Sequence, residues 1–166
     1  MSSNYYSRTE SSKDRWETPK YFFKLLDDIF HFTLDAAASD DNHLCPKYFT
    51  RKTDGLKQSW AGERVFVNPP FSQAPAWIEK AFKEGKKPET IVVLLTPSRT
   101  ETKIWHRCVM KAREIWLCFK RVNFNIDGER GQSGATFPLA VIIFEGEHEN
   151  PKLKAFHHRW IVCKNN

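Results

Sequence analysis

Asn68-Pro69-Pro70-Phe71 is the stretch of this chain whose residue types and order could do chemistry. It joins a carboxamide, two residues of fixed φ that lack an N–H, and an aromatic ring. That set suits a planar, weakly nucleophilic amine such as the exocyclic NH2 of adenine, whose lone pair is delocalised into its ring. Acceptors at Asn68 Oδ1 and the Pro69 carbonyl would draw the nitrogen towards a tetrahedral shape and turn its lone pair on a methyl donor. Pro69 and Pro70 would hold the carbonyls rigidly and offer no competing donor. Phe71 could cover the face of an extruded base. The plain structural alternative is a stiff strand-to-helix turn with Phe71 in the core.

The neighbouring elements decide whether such a turn can serve a ligand. Val65-Phe66-Val67 precedes the tetrad and reads as a strand, and a helix is predicted over 76–84. Ser72 and Pro75 open that helix, Trp77, Ile78, Ala81 and Phe82 form its buried face, and Gly85 ends it. The tetrad therefore lies at the carboxyl end of a strand, where open α/β sheets bind ligands. Upstream, Thr18-Pro19 predicts an N-cap and a first-position proline for a helix with Tyr21, Phe22, Leu25, Leu26, Ile29 and Phe30 on one face. Phe32-Thr33-Leu34 is a short strand ending in Asp35. The glycine-free turn Ala36-Ala37-Ala38-Ser39 follows, small enough for backbone to approach a ligand. The interval from Asp35 to Asn68 is short, so one helix must be shortened or missing, with 47–50 as a reduced second strand.

Ile91 to Leu95 reads as a central parallel strand stopped by Thr96-Pro97. Ser98-x-x-Glu101 then forms a capping-box signature before the apolar face Ile104, Trp105, Cys108, Val109 and Ala112. Further strands are predicted over 115–119 and 139–144, and a final strand or docked tail within 151–166. This alternation implies an α/β fold: a doubly wound, mostly parallel sheet in one compact domain over 15–166, behind a polar, aperiodic arm at 1–14.

Lys and Arg number 26 against 20 Asp and Glu, a formal +6, which permits a polyanionic partner. Arg99, Lys103, Arg107 and Lys111 recur every four residues, and Lys120 and Arg121 extend this densest positive stretch. Phosphate contact and an ordinary solvated helix face are both open readings of the stripe. The glycine-rich loop 127–134 is the candidate base-side or groove-side element. No apolar run has membrane-spanning length. Cysteines 45, 108, 118 and 163 show no metal or redox spacing, so no metal site and a reducing compartment are expected. No Cys is placed as the nucleophile that methylation of a cytosine ring would need.

Asn68-Pro69-Pro70-Phe71 resembles the catalytic motif of amino methyltransferases that use S-adenosylmethionine. Together with Arg15-Trp16-Glu17-Thr18-Pro19, Leu34 to Ser39, Cys45 to Thr50 and Leu95-Thr96-Pro97, the pattern resembles the small phage-type DNA N6-adenine methyltransferases. The resemblance implies a Rossmann-like methyltransferase fold and S-adenosylmethionine as cofactor. It also implies double-stranded DNA as partner, flipping of the target base, and a phage- or prophage-encoded protein working in the cytoplasm of a bacterial host. It implies catalytic roles for Asn68, Pro69, Pro70 and Phe71. Cofactor contacts are implied at Trp16, Thr18, Pro19, Asp35, Ala36, Asp41, Asp54 and Asn68. Asp40 and Asp41 stand where ribose hydroxyls would take a carboxylate, and Asp54 where the cofactor's adenine amino group would. Nucleic-acid contacts are expected at Arg99, Lys103, Arg107, Lys111, Lys120, Arg121 and Phe124, with Phe124 and Phe137 competing for the far side of the base. The alternatives are an RNA adenine methyltransferase, a protein glutamine methyltransferase, against which the basic stripe counts, and a non-enzymatic DNA-binding relative. A homodimer is compatible with the sequence and not required by it.

Overall fold

A computed structural model describes residues 16–126, 129–130 and 135–158. The expected arm at 1–14 and the apolar segment Trp160-Ile161-Val162 lie outside the described residues. Along the chain come β1 (Trp16–Glu17), α1 (Lys20–Phe30), β2 (Leu34–Asp35), β3 (Lys47–Tyr48), β4 (Arg64–Val67), α2 (Ala74–Gly85) and β5 (Ile91–Pro97). They are followed by α3 (Lys103–Cys108), β6 (Glu114–Cys118), β7 (Asn125–Ile126), β8 (Glu129–Arg130), β9 (Leu139–Phe144) and β10 (Lys152–Phe156).

Seven strands form one sheet in the order β10-β6-β9-β5-β4-β2-β3, while β1, β7 and β8 form a small second sheet. All neighbours in the large sheet are parallel except β9, which runs antiparallel to both β5 and β6. Side-chain alternation divides the strands between two cores. Phe66, Val93, Leu95, Val141 and Ile143 face α1, through its buried residues Phe22, Leu26 and Phe30. Val65, Val67, Val92, Leu94, Ile142 and Phe144 face the other way, towards α2 and α3. The α/β, doubly wound, mostly parallel sheet is thus the observed architecture, and β4 and β5 are buried on both sides, as their continuous apolar runs require.

The topology also fixes where a ligand can sit. From β2 the chain moves outward to β3, then returns to β4 and proceeds to β5 in the opposite direction. The order reverses between β2 and β4, and the crevice beyond their carboxyl ends is the topological switch point. Asp35 ends β2 and Asn68 follows β4, so both flank this crevice.

Some local expectations hold and others are corrected. No helix occurs between β2 and β4 among the described residues, so the helix expected to be shortened or missing is missing. Pro19, not Thr18, is the N-cap of α1, and no side chain caps the helix. Thr102, not Ser98, caps α3, its hydroxyl accepting from the Trp105 N–H. Gly85 is the last residue of α2 rather than a cap beyond it, and its role is close packing. A Cβ there would come within 2.6 Å of Phe144 Cβ and 3.0 Å of the Phe144 backbone. The final strand lies at Lys152–Phe156, paired in parallel with β6.

Candidate active site

The cleft at the switch point has a volume of about 430 Å³, within the range for cofactor-sized ligands. Three segments build it: the turn after β2 (Ala36 to Asp40), the loop after β3 (Phe49 to Lys52, with Gly55), and the turn after β4 (Asn68, Pro69, Pro70, Gln73). Trp16 and Glu17 close one side and Trp77 of α2 another.

Packing holds these segments in place. The Ala36 N–H donates to the Phe66 carbonyl, tying the ends of β2 and β4. Gly55 lies so near that a Cβ would fall 2.1 Å from the Ala36 carbonyl oxygen, so only glycine fits there. Trp60 anchors the Gly55 segment by donating from Nε1 to the Gly55 carbonyl, and its own N–H donates to the buried Glu84 carboxylate of α2. Burial works against the charge on Glu84, but bonds from Lys80, Lys87 and the Trp60 N–H outweigh it and hold the carboxyl below its ordinary range.

Asn68 is half-buried, and both hydrogens of its amide are used: Nδ2 donates to the Trp16 carbonyl at 3.0 Å and to Thr18 Oγ1 at 2.9 Å. The side chain's acceptor, Oδ1, is thereby the group left for a ligand. Phe71 lies among aromatic rings, meeting Trp16, Phe124 and Phe137 edge-on at centroid distances of 5.9, 5.9 and 5.7 Å. Trp16 stacks on Phe124 at 5.1 Å. Phe124 and Phe137, the two candidates for the far side of the base, both touch Trp16 in this cluster, and Phe124 is buried in the core.

The expected cofactor residues divide. Trp16, Ala36 and Asn68 line the cleft; Thr18, Pro19, Asp35, Asp41 and Asp54 do not. Asp35 is 5 % exposed, and its carboxylate accepts from the Leu44 and Ala37 N–H groups, so it shapes the turn from beneath. Burial pushes its pKa up to about 6, against the pull of those two backbone bonds. Asp40 rather than its exposed neighbour Asp41 reaches the cleft. Asp54 is paired with Lys57 at 2.9 Å, and the adjacent Gly55 lines the cleft instead. Sequence reasoning missed Phe49, Arg51, Lys52, Gln73 and Trp77. Gly55 was the available signal, since a glycine between two structured segments marks close approach.

The basic stripe is spread across the molecule. Arg99 follows the carboxyl end of β5, at the cleft's edge of the sheet, and α3 then runs back towards the opposite edge. Arg107 pairs with Glu79 at 3.1 Å and Lys111 with Glu147 at 2.8 Å, all four side chains being exposed. Lys120 and Arg121 follow the carboxyl end of β6 and border a smaller cavity of about 260 Å³ that also includes Phe137. Burial pushes the thiols of Cys45 and Cys118 up to about 12, and neither lines the main cleft. No group of His, Cys, Asp and Glu among the described residues could hold a metal ion. No helix among them is long and apolar enough to cross a membrane.

An open sheet with one reversed strand, and a cofactor-sized cleft at its switch point beside the Asn-Pro-Pro-Phe turn, is the architecture of a Rossmann-like methyltransferase fold. The sequence matches the family model described as DNA N-6-adenine-methyltransferase (Dam) over residues 6–158, and the chain belongs to that family. It is 30 % identical over 128 residues to the DNA N-6-adenine-methyltransferase of Escherichia phage T1, covering 75 % of this chain and 53 % of that relative. It is 28 % identical over 151 residues to the protein of the same description from Haemophilus phage HP1 (strain HP1c1), covering 88 % of this chain and 87 % of the relative. The chain therefore spans about half the length of the T1 relative and most of the HP1 relative.

Proposed function

We propose that this chain methylates N6 of adenine in double-stranded DNA, with S-adenosylmethionine as the methyl donor and the target base flipped into the site. The observation that carries the reading is the orientation of Asn68. Its NH2 is spent on Trp16 and Thr18, and its oxygen is left beside Pro69 and Pro70 at the mouth of a cofactor-sized cleft. A site that presents only acceptors at that point selects a ligand that donates, as an aromatic amine does.

The cleft's donors and acceptors fit the cofactor. Glu17 and Asp40 offer acceptors for its ammonium and ribose hydroxyls, and Arg51 and Lys52 offer cations for its carboxylate. Trp77 lines the cleft with Nε1 buried and without a hydrogen-bond partner among the described residues, a donor in want of a ligand acceptor. When bound, S-adenosylmethionine supplies an electrophilic methyl group on a sulfonium.

The chain's own part is mostly positioning. Asn68 Oδ1 and the Pro69 carbonyl accept from the adenine NH2 and favour its pyramidal form, and the proton released after transfer leaves to water. Phe71 covers one face of the base, with Trp16, Phe124 and Phe137 around it. Asp35 holds the turn of residues 36–40. Arg99, Lys120 and Arg121, at the cleft's edge of the sheet, take backbone phosphates. The setting is the cytoplasm of a phage's bacterial host. Transfer of labelled methyl to DNA, RNA and whole-cell protein, offered separately, tests the reading. Label in DNA N6-methyladenine supports it. Label only in RNA or on glutamine assigns one of the alternatives, and donor binding without transfer to any of the three would mark an inactive relative.

A further inference from the structure

Thr18 lies 50 residues before Asn68 and is 5 % exposed, yet its hydroxyl neither caps α1 nor lines the cleft. It meets the carboxamide of Asn68. We propose that Thr18 is a positioning residue for methyl transfer: with the Trp16 carbonyl, it fixes which end of the Asn68 amide faces the substrate. The inference rests on the reading of Asn68 given above.

The two ends of a carboxamide have nearly the same shape, and rotation about its last bond is only loosely restrained. The wrong orientation would point NH2 at the incoming amine, donor against donor. A backbone carbonyl can only accept, so the Trp16 oxygen, 3.0 Å away, requires nitrogen on its side. One such contact still lets the amide plane tilt. Thr18 Oγ1, 2.9 Å away, takes the second amide hydrogen and fixes the plane. Trp16 is itself held by the pairing of β1 with β7, Trp16 opposite Ile126 and Glu17 opposite Asn125. A buried hydroxyl with no cap to make and no cleft to line is thereby accounted for.

Thr18→Val keeps the side chain's shape and removes the acceptor; Thr18→Ser keeps the hydroxyl. Steady-state methyl transfer to unmethylated genomic DNA is measured for both, alone and combined with Asn68→Ala. Thr18→Val should lower kcat about tenfold or more, with KM for cofactor and DNA within about threefold of wild type. Thr18→Ser should stay within about threefold of the wild-type kcat. In the Asn68→Ala background Thr18→Val should cost nothing further, because there is no amide left to orient. The proposal falls if Thr18→Val turns over at the wild-type rate. It falls equally if only the cofactor KM rises, if Thr18→Ser is as slow as Thr18→Val, or if the loss persists without Asn68. Should both Thr18→Val and Thr18→Ala fail to fold, Thr18 is a structural residue and the proposal is overturned. A wild-type rate for Asn68→Ala alone would refute the reading of the site itself; a slow Asn68→Ala with a fast Thr18→Val would refute only the role of Thr18.

Discussion

Replacing Asn68 by Asp tests whether the site needs an acceptor or an oriented amide. Asp supplies better acceptors than Asn, so a site that wanted only negative charge near the amine would keep or gain activity. The structure argues otherwise. Asn68 Nδ2 donates to the Trp16 carbonyl at 3.0 Å and to Thr18 at 2.9 Å, and a carboxylate can donate to neither. Thr18 can turn its hydroxyl to donate instead. The Trp16 carbonyl cannot, and would face an oxygen of like charge. An unpaired acceptor in a partly buried setting costs about 1–3 kcal/mol. If the side chain rotates away to avoid that contact, the loss appears in the reacting geometry, roughly 5- to 150-fold in kcat at about 1.4 kcal/mol per factor of ten. Asn68→Ala, which removes the acceptor entirely, should lose about 100-fold or more while cofactor affinity stays near normal. Single-turnover transfer of labelled methyl, with cofactor bound at saturation, reads the chemical step directly. Protonation would give the new carboxyl an O–H to donate to Trp16, so Asn68→Asp should recover relative to wild type as pH falls. An Asn68→Asp enzyme as fast as wild type at neutral pH, with no relative recovery in acid, would refute the orientation argument.

The other predictions concern the base, the buried acid and the phosphates. Phe71→Ala should weaken capture of the extruded base by about 1–3 kcal/mol, and Phe71→Tyr should retain much of the activity. Fluorescence of 2-aminopurine at the target should be strong with Asn68→Ala and weak with Phe71→Ala, and equal signals would remove Phe71 from the base site. Asp35, with its pKa raised from 3.8 to about 6, holds its proton more tightly folded than unfolded. Its contribution to stability is therefore greatest below pH 4 and is lost as pH rises through 6, by about 3 kcal/mol at 1.36 kcal/mol per unit. Urea unfolding across that window should show wild type losing stability relative to Asp35→Asn, and a difference independent of pH would contradict the burial argument. For DNA, Arg99→Gln with Lys120→Gln should flatten the salt dependence of affinity by roughly two units of slope, while Lys111→Gln, on a residue paired to Glu147 at the far edge, should leave it unchanged. The opposite result would place the phosphates near Lys111, beyond the end of α3.

Elements with strong periodicity were legible. The run of β9 appears where the pattern put it, β5 runs on through Thr96-Pro97, and α1 buries Phe22, Leu26 and Phe30 of its expected face while Tyr21 and Ile29 are exposed. Caps were less legible. Thr18 and Ser98 have the chemistry of N-caps, yet Thr18 is drawn to Asn68, and Thr102 takes the place expected for Ser98. A hydroxyl bonds to the donor that tertiary structure brings to it, and sequence position gives only the local candidates. Gly85 shows the same limit, since its partner is Phe144, across the sheet in β9.

The site was legible to the extent that it is local. Asn68 to Phe71 is one turn, and a strand before it with a helix after it suffice to place it at a sheet's carboxyl edge. Charge was a poorer guide than backbone course. Asp35, Asp41 and Asp54 looked like cofactor carboxylates, but Asp35 bonds to the turn beside it, Asp41 faces solvent and Asp54 pairs with Lys57. Where segments cross closely, as at Ala36 and Gly55, the cleft wall is instead set by backbone and a residue without a side chain. The orientation of Asn68 depends on residues 50 and 52 positions away, brought to it by β1, which is only two residues long and is held by β7. What made the tetrad recognisable is therefore local, and what makes it competent is not. A chain with the same four residues but without the Trp16 carbonyl and the Thr18 hydroxyl would keep the motif and lose the direction in which its amide points.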